Sequence, residues 1–178
     1  MPESTDAATI LIATSWQALG RAETGDRRAS ICNCTVLIVF AAFFLEANLN
    51  HVIRSMGKRE EMRNFLKIKK RKAQPGLQDK LAWFYNAYIA RSKTTNKKEL
   101  YRRMRRKWRG FNQLYEFRNK VAHGEVDRSM ANLGDAKRLR ALAKAIVTEL
   151  FTIAAREGHD IPRGVTYEAA ITASDRSS

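Results

Sequence analysis

Within the run RNKVAHG, residues 118–124, three side chains have types suited to chemistry on an anion: Arg118, Asn119 and His123. A guanidinium stays charged and donates two parallel hydrogen bonds to oxyanions. An imidazole changes protonation near neutral pH and so moves protons in either direction. An amide one helical turn away can hold that ring in one tautomer. Spacing limits how these groups cooperate. Arg118 and His123 are five apart, about 500° around a helix, so they do not share a face. Asn119 and His123 are four apart and do. Arg118 instead continues the apolar stripe of Phe111, Leu114 and Val121. A charge on such a stripe requires a partner or an interface, because burying it alone is costly.

The elements that carry these residues are predicted to be helices. The chain has 178 residues with only three prolines and nine glycines, which leaves long uninterrupted segments. Its length fits one domain with a tail, set at residues 1–158 and 159–178. Apolar spacing predicts a helix over residues 6–23 and a second from about Ala29 to Met56 that stops at Gly57. A short amphipathic helix should follow, fraying into a basic loop by residue 72. The turn at Gln74-Pro75-Gly76 should precede a helix over LQDKLAWFYNAYI, and Ser92 to Asn96 reads as a loop. One long helix is expected from Lys97 to His123, stopped by Gly124, and a last one over residues 133–156. The expectation is an all-α bundle of about five helices. Cys32 and Cys34, two apart, cannot easily bridge each other, and no paired Cys/His pattern suggests a metal site.

Residues 29–45, ASICNCTVLIVFAAFFL, carry no charge and follow two arginines, which is the short end of a membrane span. Asn33 and Thr35 lie inside the run, and Glu46, Asn48, Asn50 and His51 follow at once. A helix apolar all round also suits the centre of a bundle. The reading is therefore a buried helix in a cytoplasmic protein with no membrane partner. Lysine and arginine number 33 against 18 acidic residues, a net charge of +15, which points to a phosphate-bearing partner. Ten cations and one glutamate occupy residues 91–109, and eight cations and two glutamates occupy residues 58–72. Candidate phosphate contacts are Arg102, Arg103, Arg105, Arg106, Lys107 and Arg109 in the first cluster and Lys69, Lys70 and Arg71 in the second.

LYEFRNKVAHG resembles the signature of the HEPN superfamily, the higher eukaryotes and prokaryotes nucleotide-binding domains. That signature is an arginine, a polar residue, a few further residues and a histidine near the end of a late helix. FFLEANLNHVI at residues 43–53 is similar to an early HEPN helix that carries an acidic residue after an apolar run, with Glu46 at that position. The resemblance implies a HEPN-like bundle and a metal-independent ribonuclease without cofactor, acting on RNA. Arg118 and His123 would be its catalytic residues, with Asn119 beside them and Glu46 positioning Arg118. It further implies a homodimer with facing motif helices, and a toxin or phage-defence role in which a cognate antitoxin is a partner. Two other readings stand beside it: a non-catalytic HEPN module for RNA binding or dimerisation, and a DNA-binding regulator with an arginine-rich helix in a groove. On the plainest reading Arg118 only ties two helices through Glu46, and His123 only ends a helix.

Overall fold

A computed structural model describes residues 17–24, 27–67, 75–92, 94, 96–123 and 132–161, and all regular structure among them is helical. We number the helices α1 (17–24), α2 (Arg27–Ser55), α3 (Arg59–Phe65), α4 (Leu77–Phe84), α5 (Lys97–Lys107), α6 (Phe111–Ala122) and α7 (Leu133–Arg156). Residues 6–16 of the expected first helix, and the basic loop with Lys69, Lys70 and Arg71, lie outside the described residues.

The charge-free run becomes the central helix. α2 lays Leu37, Ile38, Ala41, Leu45, Leu49 and Val52 against α7, whose Leu139, Ala143, Ile146, Val147 and Leu150 are likewise fully enclosed. Burial of each such leucine or isoleucine contributes about 1.5–3 kcal/mol. α6 closes a second side of α2 with Leu114 and Phe117. The segment Cys32–Ser55 is long and apolar enough to cross a membrane, and 56% of its most apolar window is buried within the bundle. Elsewhere on that helix, among the described residues, Cys32 and Phe43 are exposed and Val36, Val39 and Phe40 are half-buried.

Gly57 ends α2 as the sequence predicts. Its positive φ of +67° lets the Gly57 N–H reach the Arg54 carbonyl and the Lys58 N–H reach the Ile53 carbonyl, each at 3.0 Å. α3 begins two residues later, at Arg59. α4 continues past Phe84 in the wider π-helical form over Tyr85–Ala90 and stops where Arg91 turns left-handed at φ +45°. The Arg91 guanidinium pairs with Glu157 at 2.9 Å, fastening this stop to the end of α7. Trp83 and Phe84 are buried, with Tyr88 packed on their rings.

The single helix expected from Lys97 to His123 is two helices. Trp108 leaves helical geometry so that its indole can bury and donate to Glu149 at 2.8 Å, and Gly110 follows at φ +93°. A β-carbon at Gly110 would stand 2.9 Å from the Arg138 guanidinium and 3.3 Å from Leu142, so both conformation and space require glycine here. α7 starts where expected, capped by Asn132, whose side-chain oxygen accepts from the Asp135 N–H at 2.8 Å. The described chain runs past residue 158 to Ile161, which is buried.

Candidate functional site

Phe111, Leu114 and Phe117 face the core from α6, and Arg118, the next residue, leans to the edge of that face with 31% of its side chain exposed. Three groups hold it. One guanidinium nitrogen lies 3.5 Å from the Glu46 carboxylate of α2 and another donates to the Asn119 side-chain oxygen at 3.1 Å. The guanidinium carbon sits 5.7 Å from the centre of the Phe43 ring, within cation–π range. Phe43 precedes Glu46 by nearly one turn of α2 and, at 38% exposure, is the only exposed large hydrophobic among the described residues.

Glu46 serves a second cation. Its other oxygen accepts from the Lys80 ammonium of α4 at 3.0 Å. Lys80 is 7% exposed and Glu46 21%. A lysine that deep is tolerated because the carboxylate meets it, and the pair in turn fixes Glu46 in front of Arg118. Two cations thus share one carboxylate, and the node keeps a net positive charge at the surface where Arg118 emerges. Sequence reasoning named Glu46 and Arg118 and missed Lys80. The available signal was a lone cation three residues after Leu77 on the apolar face of LQDKLAWF.

His123 terminates α6. Its backbone N–H donates to the Asn119 carbonyl at 3.0 Å and to the Lys120 carbonyl at 3.2 Å, and the residue is exposed. Among the described residues its side chain takes part in no hydrogen bond. The expected Asn119–imidazole hydrogen bond is not made; the Asn119 side-chain oxygen accepts from its neighbour Arg118. Gly124 lies outside the described residues. The motif therefore divides in two: Arg118 and Asn119 are bound to each other, and Arg118 to α2, whereas the exposed His123 side chain has no hydrogen-bond partner among the described residues.

The basic cluster on α5 is less available than its composition suggests. Arg102 and Arg103 both donate to Glu99, at 2.8–2.9 Å and 2.7 Å, and those hydrogen bonds pull the Glu99 carboxyl down to about 2. Lys107 pairs with Glu149 at 2.8 Å. Arg105, Arg106 and Arg109 are exposed and have no ion pair among the described residues. His51 lies half-buried against Phe151 with ring centres 6.3 Å apart, a packing position rather than an open one. In comparisons with known proteins, no family model, no curated protein and no solved structure matches the chain.

Proposed function

We propose that the protein is a metal-independent RNA endonuclease of HEPN type, with Arg118 and His123 as its reacting pair. The observation that carries the proposal is the contrast within α6: a guanidinium held in place by Glu46 and Asn119 yet one-third exposed, and at the same helix end an imidazole that is exposed among the described residues. RNA supplies its own nucleophile. The 2′-hydroxyl attacks the adjacent phosphorus, the bond to the 5′-oxygen breaks, and the products end in a 2′,3′-cyclic phosphate and a 5′-hydroxyl. The protein must accept the 2′-hydroxyl proton, donate one to the leaving oxygen and offset charge on the phosphoryl oxygens. The imidazole suits the proton transfers and the guanidinium the phosphoryl oxygens.

One motif imidazole per chain fills one proton-transfer role at a time, which favours a two-fold homodimer in which each subunit lends a His123. Phe43, exposed beside Arg118, provides the apolar seam for such a pairing. The packing of α2 between α6 and α7 favours a cytoplasmic protein over a membrane one. A toxin or phage-defence role, with an antitoxin as partner, follows from the HEPN resemblance.

Purified protein incubated with RNA in excess chelator tests the reading. Cleavage should proceed, leave DNA intact and yield cyclic phosphate ends. His123→Ala and Arg118→Ala should each lower the rate by about 10²-fold or more with helix content unchanged, and Asn119→Ala should cost less. A His123→Ala protein as fast as wild type refutes the assignment. RNA binding without cutting would leave a binding module, and preference for duplex DNA would favour a regulator.

A further inference from the structure

Lys80 also lines a cavity away from the α6 motif. The cavity, about 170 Å³, is walled by Asn50, Ile53 and Arg54 from the last turns of α2, by Arg59 and Met62 from α3, and by Lys80 from α4. That volume far exceeds the ~10–15 Å³ that one water requires, so a polyatomic group fits. The local fold brings the charges together. Arg54 and Arg59, on either side of the turn at Gly57, border one space. Lys80 reaches it from a buried position and uses one of its three N–H donors on Glu46, with no other partner among the described residues. Neither Arg54 nor Arg59 has a hydrogen bond or ion pair among the described residues.

Arg54, Arg59 and Lys80 line one cavity whose lining holds no carboxylate, and of the three only Lys80 has an ion pair among the described residues, with Glu46. Ile53 and Met62 supply the smaller, apolar part of the wall, and the rest of the lining is polar. A phosphate monoester matches this lining. It is close to a dianion at neutral pH, with a second pKa of about 6, and offers three acceptor oxygens to two guanidinium forks and an ammonium. An internal phosphodiester carries one charge and is substituted on both sides, which suits an open surface such as α5 better than a pocket.

We propose that this pocket binds a phosphate monoester, either a free mononucleotide or the 5′-phosphate at the end of a nucleic-acid strand. The site uses neither Arg118 nor His123, so it stands or falls separately from the cleavage reading.

Isothermal titration calorimetry on the full chain decides it. The probes are adenosine 5′-monophosphate, adenosine, and a short deoxyoligonucleotide with either a 5′-phosphate or a 5′-hydroxyl. The deoxy strand lacks the 2′-hydroxyl and so survives any ribonuclease activity. The monophosphate should bind and adenosine should not. Arg54→Gln and Arg59→Gln, both at exposed side chains, should each weaken binding about tenfold or more, while Lys137→Gln, at an exposed cation of α7 outside both basic clusters, should leave it unchanged. Tighter binding of the 5′-phosphorylated strand than of the 5′-hydroxyl strand, lost in Arg54→Gln, identifies a strand end, and equal binding of the two strands beside bound monophosphate identifies the free nucleotide. The proposal is overturned if neither phosphorylated probe binds better than its unphosphorylated counterpart. It is also overturned if affinity survives both pocket substitutions, or falls equally with Lys137→Gln.

Discussion

Two groups of cations in this chain differ in what holds them. On α5 the arginines are many, exposed and partly cancelled by near neighbours: Glu99 takes Arg102 and Arg103 within one helical turn, and Glu149 takes Lys107 from α7. At the junction of α2, α4 and α6 the cations are two, Lys80 and Arg118, and one carboxylate joins them across 34 and 72 residues of sequence. The first group is a matter of composition and the second of tertiary structure. Charge density along a sequence thus overstates the field α5 offers to a phosphate backbone, and says nothing of the Glu46 node, where each charge is positioned.

Removing one partner should separate the two regions most sharply. Lys80→Ala leaves Glu46 facing the core with only the longer contact to Arg118, and should cost about 3 kcal/mol. That is the low end for a broken buried pair, because Glu46 keeps about a fifth of its surface in water. For a chain of this size the melting temperature should fall by roughly 10 °C. Thermal and urea unfolding followed by circular dichroism measure it. A shift no larger than that of a surface substitution would show that the node is held by helix packing alone, and the contrast with α5 would lose its energetic basis.

The turn between the two regions is the next test. Gly110→Ala forces an alanine into a left-handed conformation and pushes its β-carbon against Arg138 and Leu142. The flexible guanidinium can move aside at little cost and the leucine less easily, so a loss of about 2 kcal/mol is expected. A neutral outcome in the same unfolding assay would mean that α5 and α6 can run on as one helix.

That break marks the limit of what the sequence discloses. α2 was legible because an unbroken apolar run has few places to go, and α7 because Leu139, Leu142, Ile146, Leu150 and Ile153 keep a helical period under a local cap. Gly57 was legible as a stop because the composition changes sharply after it. Gly110 was not, since helical spacing resumes from Met104 to Phe111 and a single glycine inside a helical pattern is commonly tolerated. What breaks the helix is the Trp108 indole reaching Glu149, a contact 41 residues away. The π-helical stretch after Phe84 has no compositional mark either. In the candidate site, Arg118 on an apolar stripe announced its need for a partner, and Glu46 stands there. Lys80 and the Arg54–Arg59 pocket depend on how α3 and α4 return to α2, and no spacing rule reaches that far.

The smallest expected effect is the most direct probe of α5. Glu99 sits at the third position of the helix after its Asn96 cap, where glutamine serves nearly as well as glutamate, so Glu99→Gln should leave the fold and the melting temperature almost unchanged. What it removes is one negative charge from between two arginines. Because those hydrogen bonds hold the carboxyl near 2, below its ordinary 4.5, the pairing is complete above about pH 5 and is lost only as pH falls toward 2. Across the physiological range the arginines therefore remain engaged, and no pH change there mimics the substitution. Released by Glu99→Gln, Arg102 and Arg103 should tighten RNA binding a few-fold and steepen the dependence of log K on log salt by about one unit. Arg106→Gln should flatten it by a similar amount. Fluorescence anisotropy titrations between 50 and 200 mM salt, roughly the range over which such slopes are resolved, measure both. Slopes unchanged in the two variants would show that nucleic acid does not lie along α5, and that the positive charge used for binding comes from elsewhere on the chain.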